Sequence, residues 1–331
     1  MVSVIIPTYK RANYIQRAIN SVLNQTYYDI EIIVVDDNNP NTQERKDLEN
    51  IMKNYKDNNK IIYIQHEKNK NGAAARNTGI KIAKGEYITF LDDDDFFLKD
   101  RIEKLVDVLN NNLEYNGAYT GCLICNNKKV IRTTEAKRSG NLQLEMLKQK
   151  SFFGTGSNLF IRREVLREIN GFDESFKRHQ DLEFMVRFFE QNKIVGINEY
   201  LVVKNQDSRI NSPNMAENIR LKEYYLDRFE TQIQKFNKNE IYGEAYFQLL
   251  LLAIQSKDKK NYMEILEKLK KYTKINLKMK EKILLEKLNL FINIKEILYF
   301  FRRKKINNQL KKEIKQEIKE IFEGQGYEKT N

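Results

Sequence analysis

The stretch Tyr87-Ile88-Thr89-Phe90-Leu91-Asp92-Asp93-Asp94-Asp95 is an apolar, strand-like run that delivers four consecutive carboxylates to its end. Four adjacent anions repel one another and call for a cation. In α/β folds, strand ends that open onto a cleft are where ligands bind, and carboxylates there suit a hard divalent ion such as Mg²⁺ or Mn²⁺ carrying a diphosphate. The alternative is a solvated acidic turn that closes the strand and caps a helix starting near Lys99, since Asp also favours turns and N-caps.

The chain before this run alternates between two periods. Val2 to Ile6 reads as a strand punctuated by Pro7, and Ala12 to Leu23 reads as a helix. Glu31 to Val35 is a β-branched run ending in Asp36-Asp37, and Gln43 to Tyr55 is the returning helix. Ile61 to Gln65 is a third strand, followed by a helix over about Ala73 to Ala83 that Gly85 is expected to end. Strands alternating with helices predict an α/β fold with a mostly parallel central sheet covered on both faces. A second tier has strands at Tyr119 to Ile124, Lys129 to Thr133, Asn158 to Ile161 and Ile194 to Lys204, with a helix from Asp181 to about Gln191.

Near Asn211-Ser212-Pro213 glycine and proline nearly vanish, and Leu, Ile, Lys and Glu dominate. The predicted division is therefore 1–210 as a catalytic α/β domain and 211–331 as an α-helical C-terminal region. The net charge of +12 is unevenly placed: from Asn211 onward 26 Lys and Arg face 17 Asp and Glu, so +9 lies in that region. An apolar run Phe291 to Phe301 precedes Arg302-Arg303-Lys304-Lys305, a pattern that suits peripheral contact with the inner face of a membrane and equally a core-packed helix with a solvated basic end. Nucleic acid is not an expected partner, because the charge accompanies helical Leu/Ile periodicity and many glutamates.

The two cysteines, Cys122 and Cys125, read as reduced thiols in a strand, with only His66 and His179 available to complete a zinc site. The start of the sequence shows no leader and no apolar run reaches membrane-spanning length, so a cytoplasmic protein is expected, with the basic C-terminal region as its route to a membrane surface.

Pro7-Thr8-Tyr9-Lys10-Arg11 ends the first strand with a hydroxyl, an aromatic face and two cations, where a nucleotide could stack and its phosphates be neutralised. Asp36-Asp37-Asn38 ends the second, beside that loop. Asn71-Gly72-Ala73-Ala74-Ala75-Arg76-Asn77-Thr78-Gly79 lets a backbone lie close to a ligand with Arg76 in the first helical turn, or else simply packs a helix tightly on the sheet.

In this order, VSVIIPTYKR, SVLNQTY, EIIVVDDNN, NGAAARNTGI and KGEYITFLDDDD resemble the family 2 glycosyltransferases of the GT-A fold, closely over residues 1 to about 110 and more loosely to about 205. The resemblance implies a metal-dependent, inverting transfer of a sugar from a UDP-sugar to a hydroxyl of a saccharide or lipid-linked saccharide acceptor, in surface polysaccharide or glycoconjugate assembly. It implies that Asp37 binds uracil, that Pro7 and Thr8 lie in the loop lining the base, beside the aromatic face of Tyr9, and that Arg76 lies near the nucleotide or the acidic motif. Asp92, Asp93 and Asp94 match the Asp-x-Asp motif. Asp94 is then the expected Mn²⁺ or Mg²⁺ ligand, Asp92 and Asp93 contact ribose or metal-bound water, and Asp92 is the second candidate ligand.

Beyond these, Gly171-Phe172-Asp173-Glu174 and Arg178-His179-Gln180-Asp181 match the segment that carries the family's base, making Asp181 the expected catalytic base. Gln180 stands where the family usually has an acid. Asp is also favoured at helix N-caps, which is the competing role for Asp181. Gly154-Thr155-Gly156-Ser157 is either a plain turn or a lining of the sugar site. A receiver-like signalling protein built on Asp36 and Asp37, and a nucleotidyltransferase, are the competing classes. The first would carry the acidic pair on strand one, and the second would need a glycine-rich loop that residues 7–14 lack.

Overall fold

The computed structural model describes residues 1–126, 128–206, 213–292, 305, 306, 308 and 310–324. The change of character at Asn211-Ser212 and the apolar and basic run from 293 to 304 lie outside the described residues. Among the described residues the chain forms two compact units. One contains 1–142, 151–206 and a C-terminal helix, and the other contains 143–150 and 213–292.

The first unit is built on a nine-stranded mixed sheet. Strands β1 (Val2–Thr8), β2 (Ile30–Asp36), β3 (Ile61–Gln65) and β4 (Tyr87–Phe90) form its parallel half in the order β3-β2-β1-β4. The chain winds outward from β1 to β3 and then returns to the other side of β1. That reversal leaves a crevice at the carboxyl ends of β1 and β4. Pro7 is tolerated inside a central strand because it lies beyond the last β1–β4 pair, Ile5 with Phe90, where its missing N–H breaks no ladder bond.

The remainder of the sheet comprises β5 (Phe96–Phe97), β6 (Gly117–Asn126), β7 (Lys129–Thr134), β8 (Phe160–Arg162) and β9 (Ile194–Asn205). β8 runs antiparallel to β4 and to β6, and β9 lies parallel to β6. Cys122 and Cys125 are free thiols buried in β6.

The helices pack by the faces their sequences define. In α1 (Ala12–Leu23), Ile15, Ala18, Ile19 and Val22 recur at helical spacing and are buried. α2 spans Gln43–Met52. α3 (Gly72–Ile82) buries Ala73, Ala74, Ala75 and Gly79, and a Cβ on Gly79 would lie 2.5 Å from Ile5 Cγ2, so only glycine allows this approach to β1. α3 stops at Ile82, before Gly85. Gly85 serves a different purpose, since a Cβ there would lie 2.6 Å from the Ser3 backbone nitrogen. α4 (Arg101–Asn110) follows β5.

Between β7 and β9 come α5 (Gln143–Leu147), α6 (Arg163–Glu168) and α7 (Gln180–Phe188). The second unit consists of α5 with α8 (Met215–Arg228), α9 (Glu230–Ile233), α10 (Lys238–Gln255), α11 (Lys259–Tyr272) and α12 (Leu277–Ile292). Its core gathers Phe247, Leu250, Ile265 and Leu269. Tyr225 donates to the Met146 carbonyl at 3.0 Å and Gln248 to the Lys148 carbonyl at 3.0 Å, so α5 is held by α8 and α10. The last described helix, α13 (Lys312–Glu323), belongs to the first unit: Phe322 packs edge-on against Phe96, and Glu317 accepts from the Lys99 N–H at 2.7 Å. Among the described residues no helix is long and apolar enough to cross a membrane.

Candidate active site at the carboxyl ends of the parallel strands

Two adjoining cavities of about 440 and 220 Å³ open at the strand ends and share Arg76 and Asp92 in their walls. The larger is lined by Pro7, Thr8, Tyr9, Asp37, Arg76 and Asp93 among others, which brings together most of the residues singled out from the sequence. The smaller contains Asp181, Gly156, His179 and Lys204.

The acidic pair ending β2 divides its work. Asp36 is fully buried: Asn38 donates to Oδ1 through its backbone and side-chain nitrogens at 2.9 and 2.8 Å, Tyr63 donates to Oδ2 at 2.6 Å, and Arg45 pairs with it at 3.0 Å. Burial still raises its pKa. Asp37 instead reaches the cavity and is aimed by three neighbours. His66 Nδ1 lies 2.7 Å from Oδ1, the Lys70 N–H donates to Oδ1 at 2.9 Å, and Asn69 Nδ2 donates to Oδ2 at 2.8 Å. His66 Nε2 in turn lies 2.8 Å from Thr78 Oγ1 on α3. His66 was not a site candidate from the sequence; the only signal was its place just after β3, beside the end of β2.

The acidic run folds as a turn after β4 in which each carboxylate has a different environment. Asp92 accepts from Arg76 Nη2 at 2.5 Å. Asp94 accepts from Arg11 Nη1 at 2.5 Å, and its carbonyl accepts from Arg17 Nη2 at 2.6 Å. Asp93 lies 3.6 Å from Arg11, and burial together with the Asp94 charge pushes its carboxyl up to about 7. Asp94 is raised as well, chiefly by burial, against the pull of Arg11. Asp95 turns into the fold, where Thr155 and Ser157 hydroxyls donate to it at 2.9 and 2.7 Å and the Asn205 N–H at 3.1 Å. Burial pushes it up to about 8. Arg17 owes its position to the far end of the chain, because its guanidinium lies between the rings of Phe96 and Phe322, 5.2 and 5.0 Å from their centroids.

Among the described residues no three acidic or histidine side chains converge to cage a metal ion. The donor set nevertheless fits a hard cation of the Mg²⁺ type, which is held by one or two carboxylates together with phosphate oxygens of its ligand. Burial, and to a smaller degree the neighbouring carboxylates, disfavours the charged forms of Asp93, Asp94 and Asp95, and a bound cation would favour them.

The second cavity depends on one turn. Gly171 has φ +62, and a Cβ there would lie 2.4 Å from Asn77 Oδ1. Asn77 on α3 uses the space: its Oδ1 accepts from the Phe172 N–H at 2.8 Å and its Nδ2 donates to the Phe172 carbonyl at 2.9 Å. Phe172 then stacks on Phe184 of α7 and meets Phe90 edge-on. Glu183 forms two bonds to Arg187, which donates to the Ile169 and Gly171 carbonyls. This clasp sets the start of α7 beside α3, so that Arg76 Nη1 donates to Gln180 Oε1 at 3.1 Å. The N-cap of α7 is His179, in the left-handed region at φ 58. Asp181 is therefore not the cap, and it lines the cavity from the first turn. A Cβ on Gly156 would lie 3.9 Å from Asp181 Oδ2, so the glycine keeps space open beside the carboxylate. Of the small-residue turn, Thr155 and Gly156 line this cavity, while Ser157 holds Asp95.

The strand order, with helices on both faces of its parallel half, defines a GT-A-type fold. Residues 3–170 match the model of glycosyl transferase family 2, and the chain belongs to that family. An uncharacterized glycosyltransferase of Rickettsia typhi is 31% identical over 321 residues, covering 94% of each chain. The amylovoran biosynthesis glycosyltransferase AmsB of Erwinia amylovora is 27% identical over 75% of this chain and 83% of its own. Among solved structures, S. aureus TarS residues 1–349 in complex with UDP-GlcNAc superposes with a TM-score of 0.54 at 18% identity, over 86% of this chain and 79% of that one, which establishes a shared fold. The protein is a glycosyltransferase, and the signalling and nucleotidyltransferase readings fall away.

Proposed function

We propose that this chain transfers a sugar from a UDP-sugar to a hydroxyl of a saccharide or lipid-linked saccharide acceptor with inversion at the anomeric carbon, in polysaccharide or glycoconjugate assembly. The observation that carries the reading is the pair of adjoining cavities, one walled by Asp37 and the acidic turn and the other by Asp181, with Arg76 and Asp92 common to both. AmsB is named for amylovoran biosynthesis, and TarS has been solved with UDP-GlcNAc; both fit this class of reaction.

In this reading uracil lies against Pro7, Thr8 and Tyr9 and donates its N3–H to Asp37. Thr8 is buried in the wall of this cavity beside Asp93, whose charged form its side chain favours, and is a natural contact for the nucleoside. Asp94, with Asp92, would hold Mn²⁺ or Mg²⁺, which when bound neutralises the diphosphate as negative charge grows on it. Asp93 borders ribose and the ion's water shell. Arg76 and Arg11 supply further positive charge to the leaving group. Asp181 accepts the acceptor's hydroxyl proton as that oxygen bonds to the anomeric carbon and the bond to the UDP oxygen breaks on the opposite face. Hexosyl or N-acetylhexosaminyl groups are the proposed cargo.

Calorimetry with UDP, GDP, CMP and ATP, each with Mn²⁺ and with EDTA, tests the donor assignment. UDP binding that EDTA removes is the expected result. Preference for another nucleotide, or binding indifferent to EDTA, would overturn the donor or the metal.

A further inference from the structure

We propose that α12 docks on a lipid surface: its outward stripe of leucines enters the acyl boundary of an anionic bilayer, and the lysines bordering that stripe meet the headgroups. The surface belongs to the second unit and shares no residue with the two cavities, so the inference goes beyond the glycosyl-transfer reading and does not depend on it.

α12 carries two apolar faces, where a helix on the surface of a globular unit needs one. Met279 and Ile283 pack against the core that α8, α10 and α11 supply. At about 100° per residue, Leu277, Leu284, Leu285 and Leu288 fall in a sector about 100° wide on the opposite side. Leu277, Leu284 and Leu285 are 72%, 57% and 48% exposed, and Leu288 is half-buried. The roll of the helix that turns this sector outward is set from both flanks. The Lys282 ammonium lies 5.8 Å from the Phe247 ring centroid, and that of Lys287 lies 5.6 Å from the Tyr262 centroid.

The same geometry distributes the charge. Lys278 and Lys282 run along one border of the leucine sector and Lys280 and Lys287 along the other, all four exposed. One acid, Glu281, stands inside the sector. From Lys270 to Lys287 the chain has seven lysines against two glutamates, Glu281 and Glu286. An apolar stripe between two rows of lysine suits a helix lying in the plane of a membrane interface. There the lysine stems follow the acyl boundary while their ammonium groups reach anionic phosphates.

Charge selects among the possible occupants. A second copy of the chain would bury leucine against leucine, but an isologous contact would also set the lysine rows against each other. A bilayer containing acidic lipid answers both features at once, and its negative surface potential attracts each lysine. With 16 residues, α12 is about 24 Å long, and its lysines keep it on the surface. The face is complete within residues 277–288, ahead of the apolar and basic run that begins at Phe291.

The chain contains no tryptophan, so Leu285→Trp places a single fluorescent reporter in the sector. The full chain with this substitution is titrated with vesicles of phosphatidylcholine alone and with vesicles containing about one third phosphatidylglycerol. Binding to the anionic vesicles about tenfold or more tighter, a blue shift of the reporter's emission on binding, and weakening in 0.5 M salt are expected. In the otherwise unchanged chain, Leu284→Asp with Leu285→Asp should lower vesicle affinity about tenfold or more. Lys278→Gln with Lys280→Gln should reduce the preference for anionic lipid. Both pairs are exposed, so melting temperatures should match the parent; the reporter decides the matter if either variant folds poorly. No binding to anionic vesicles, equal binding to phosphatidylcholine alone, or binding without a shift of the reporter would overturn the proposal. Binding that survives Leu284→Asp with Leu285→Asp would overturn it too, and would move the membrane contact to the run from Phe291. A blue shift that grows with protein concentration in the absence of lipid would assign the face to a second copy instead. No arm reads sugar transfer, so failure of the donor assignment leaves each outcome standing.

Discussion

Arg76 and Gln180 are joined at 3.1 Å between Nη1 and Oε1, and the same guanidinium holds Asp92 at 2.5 Å. The bond ties α3 to the first turn of α7, and so ties the wall of the larger cavity to the helix that carries Asp181. Gln180 stands where the family resemblance leads one to expect an acid. With a neutral amide there, Arg76 keeps its charge for Asp92 and for whatever anion enters between the cavities.

Gln180→Glu would turn a neutral hydrogen bond into a charge-assisted one and draw Arg76 away from Asp92. The expected outcome is a variant that still transfers sugar, with unchanged or slightly raised thermal stability and weaker UDP binding. Melting temperature and nucleotide titration read the two effects separately.

Asp181→Asn removes the proposed proton acceptor and leaves the shape of α7 intact. Turnover should fall by about 10²–10⁴-fold, the usual contribution of a positioned base, while UDP affinity stays as in the parent. Intact turnover would show that the base has been misplaced.

Asp94→Asn should abolish metal-dependent UDP binding, because the expected principal ligand is lost and Arg11 keeps only the more distant Asp93. Calorimetry with and without EDTA should then give the same weak signal.

His66→Ala removes one of the three groups that aim Asp37 and leaves the Thr78 hydroxyl with its bond to the Ala74 carbonyl. A loss of about 1–3 kcal/mol in stability is expected from the buried bonds removed, together with weakened UDP binding. His66→Gln, which can restore one of the two bonds, should recover part of both.

The acidic turn also sets a pH dependence. Asp93 and Asp95, raised to about 7 and about 8, hold more protons folded than unfolded at every pH between 3.8 and those values. Their contribution to stability is present at the acid end of that window and is lost as pH rises through 7 to 8. With EDTA present, the protein should lose stability between pH 5 and pH 8.5. Asp95→Asn, which keeps a neutral group in the same place, should flatten that slope, as thermal melts across the range would show.

Much of the α/β framework is legible in the residues alone, and for simple reasons. α1 falls over Ala12–Leu23 as its apolar spacing predicts, and β2, β3 and β4 follow the β-branched runs. The candidate nucleotide residues are equally visible, because a strand end followed by carboxylates is a local pattern. The sequence could not show that Asp36 is buried in a cage of Asn38, Tyr63 and Arg45 while Asp37 beside it faces the cavity under the grip of His66. Those partners come from separate elements and meet only when β2, β3 and α2 assemble.

What the order of residues determined by itself was the alternation of strands and helices and the chemistry delivered to each strand end, since hydrophobic period and adjacent charges are properties of neighbours along the chain. What tertiary structure decided was the partnership between distant segments. Asn77 locks the Gly171–Phe172 turn from 95 positions away, Arg76 reaches Gln180, and Phe322 of α13 covers the Arg17 that supports Asp94. Each of these contacts exists only because the sheet order β3-β2-β1-β4-β8 brings the ends of the chain's parts to one edge, and no spacing along the sequence encodes that meeting.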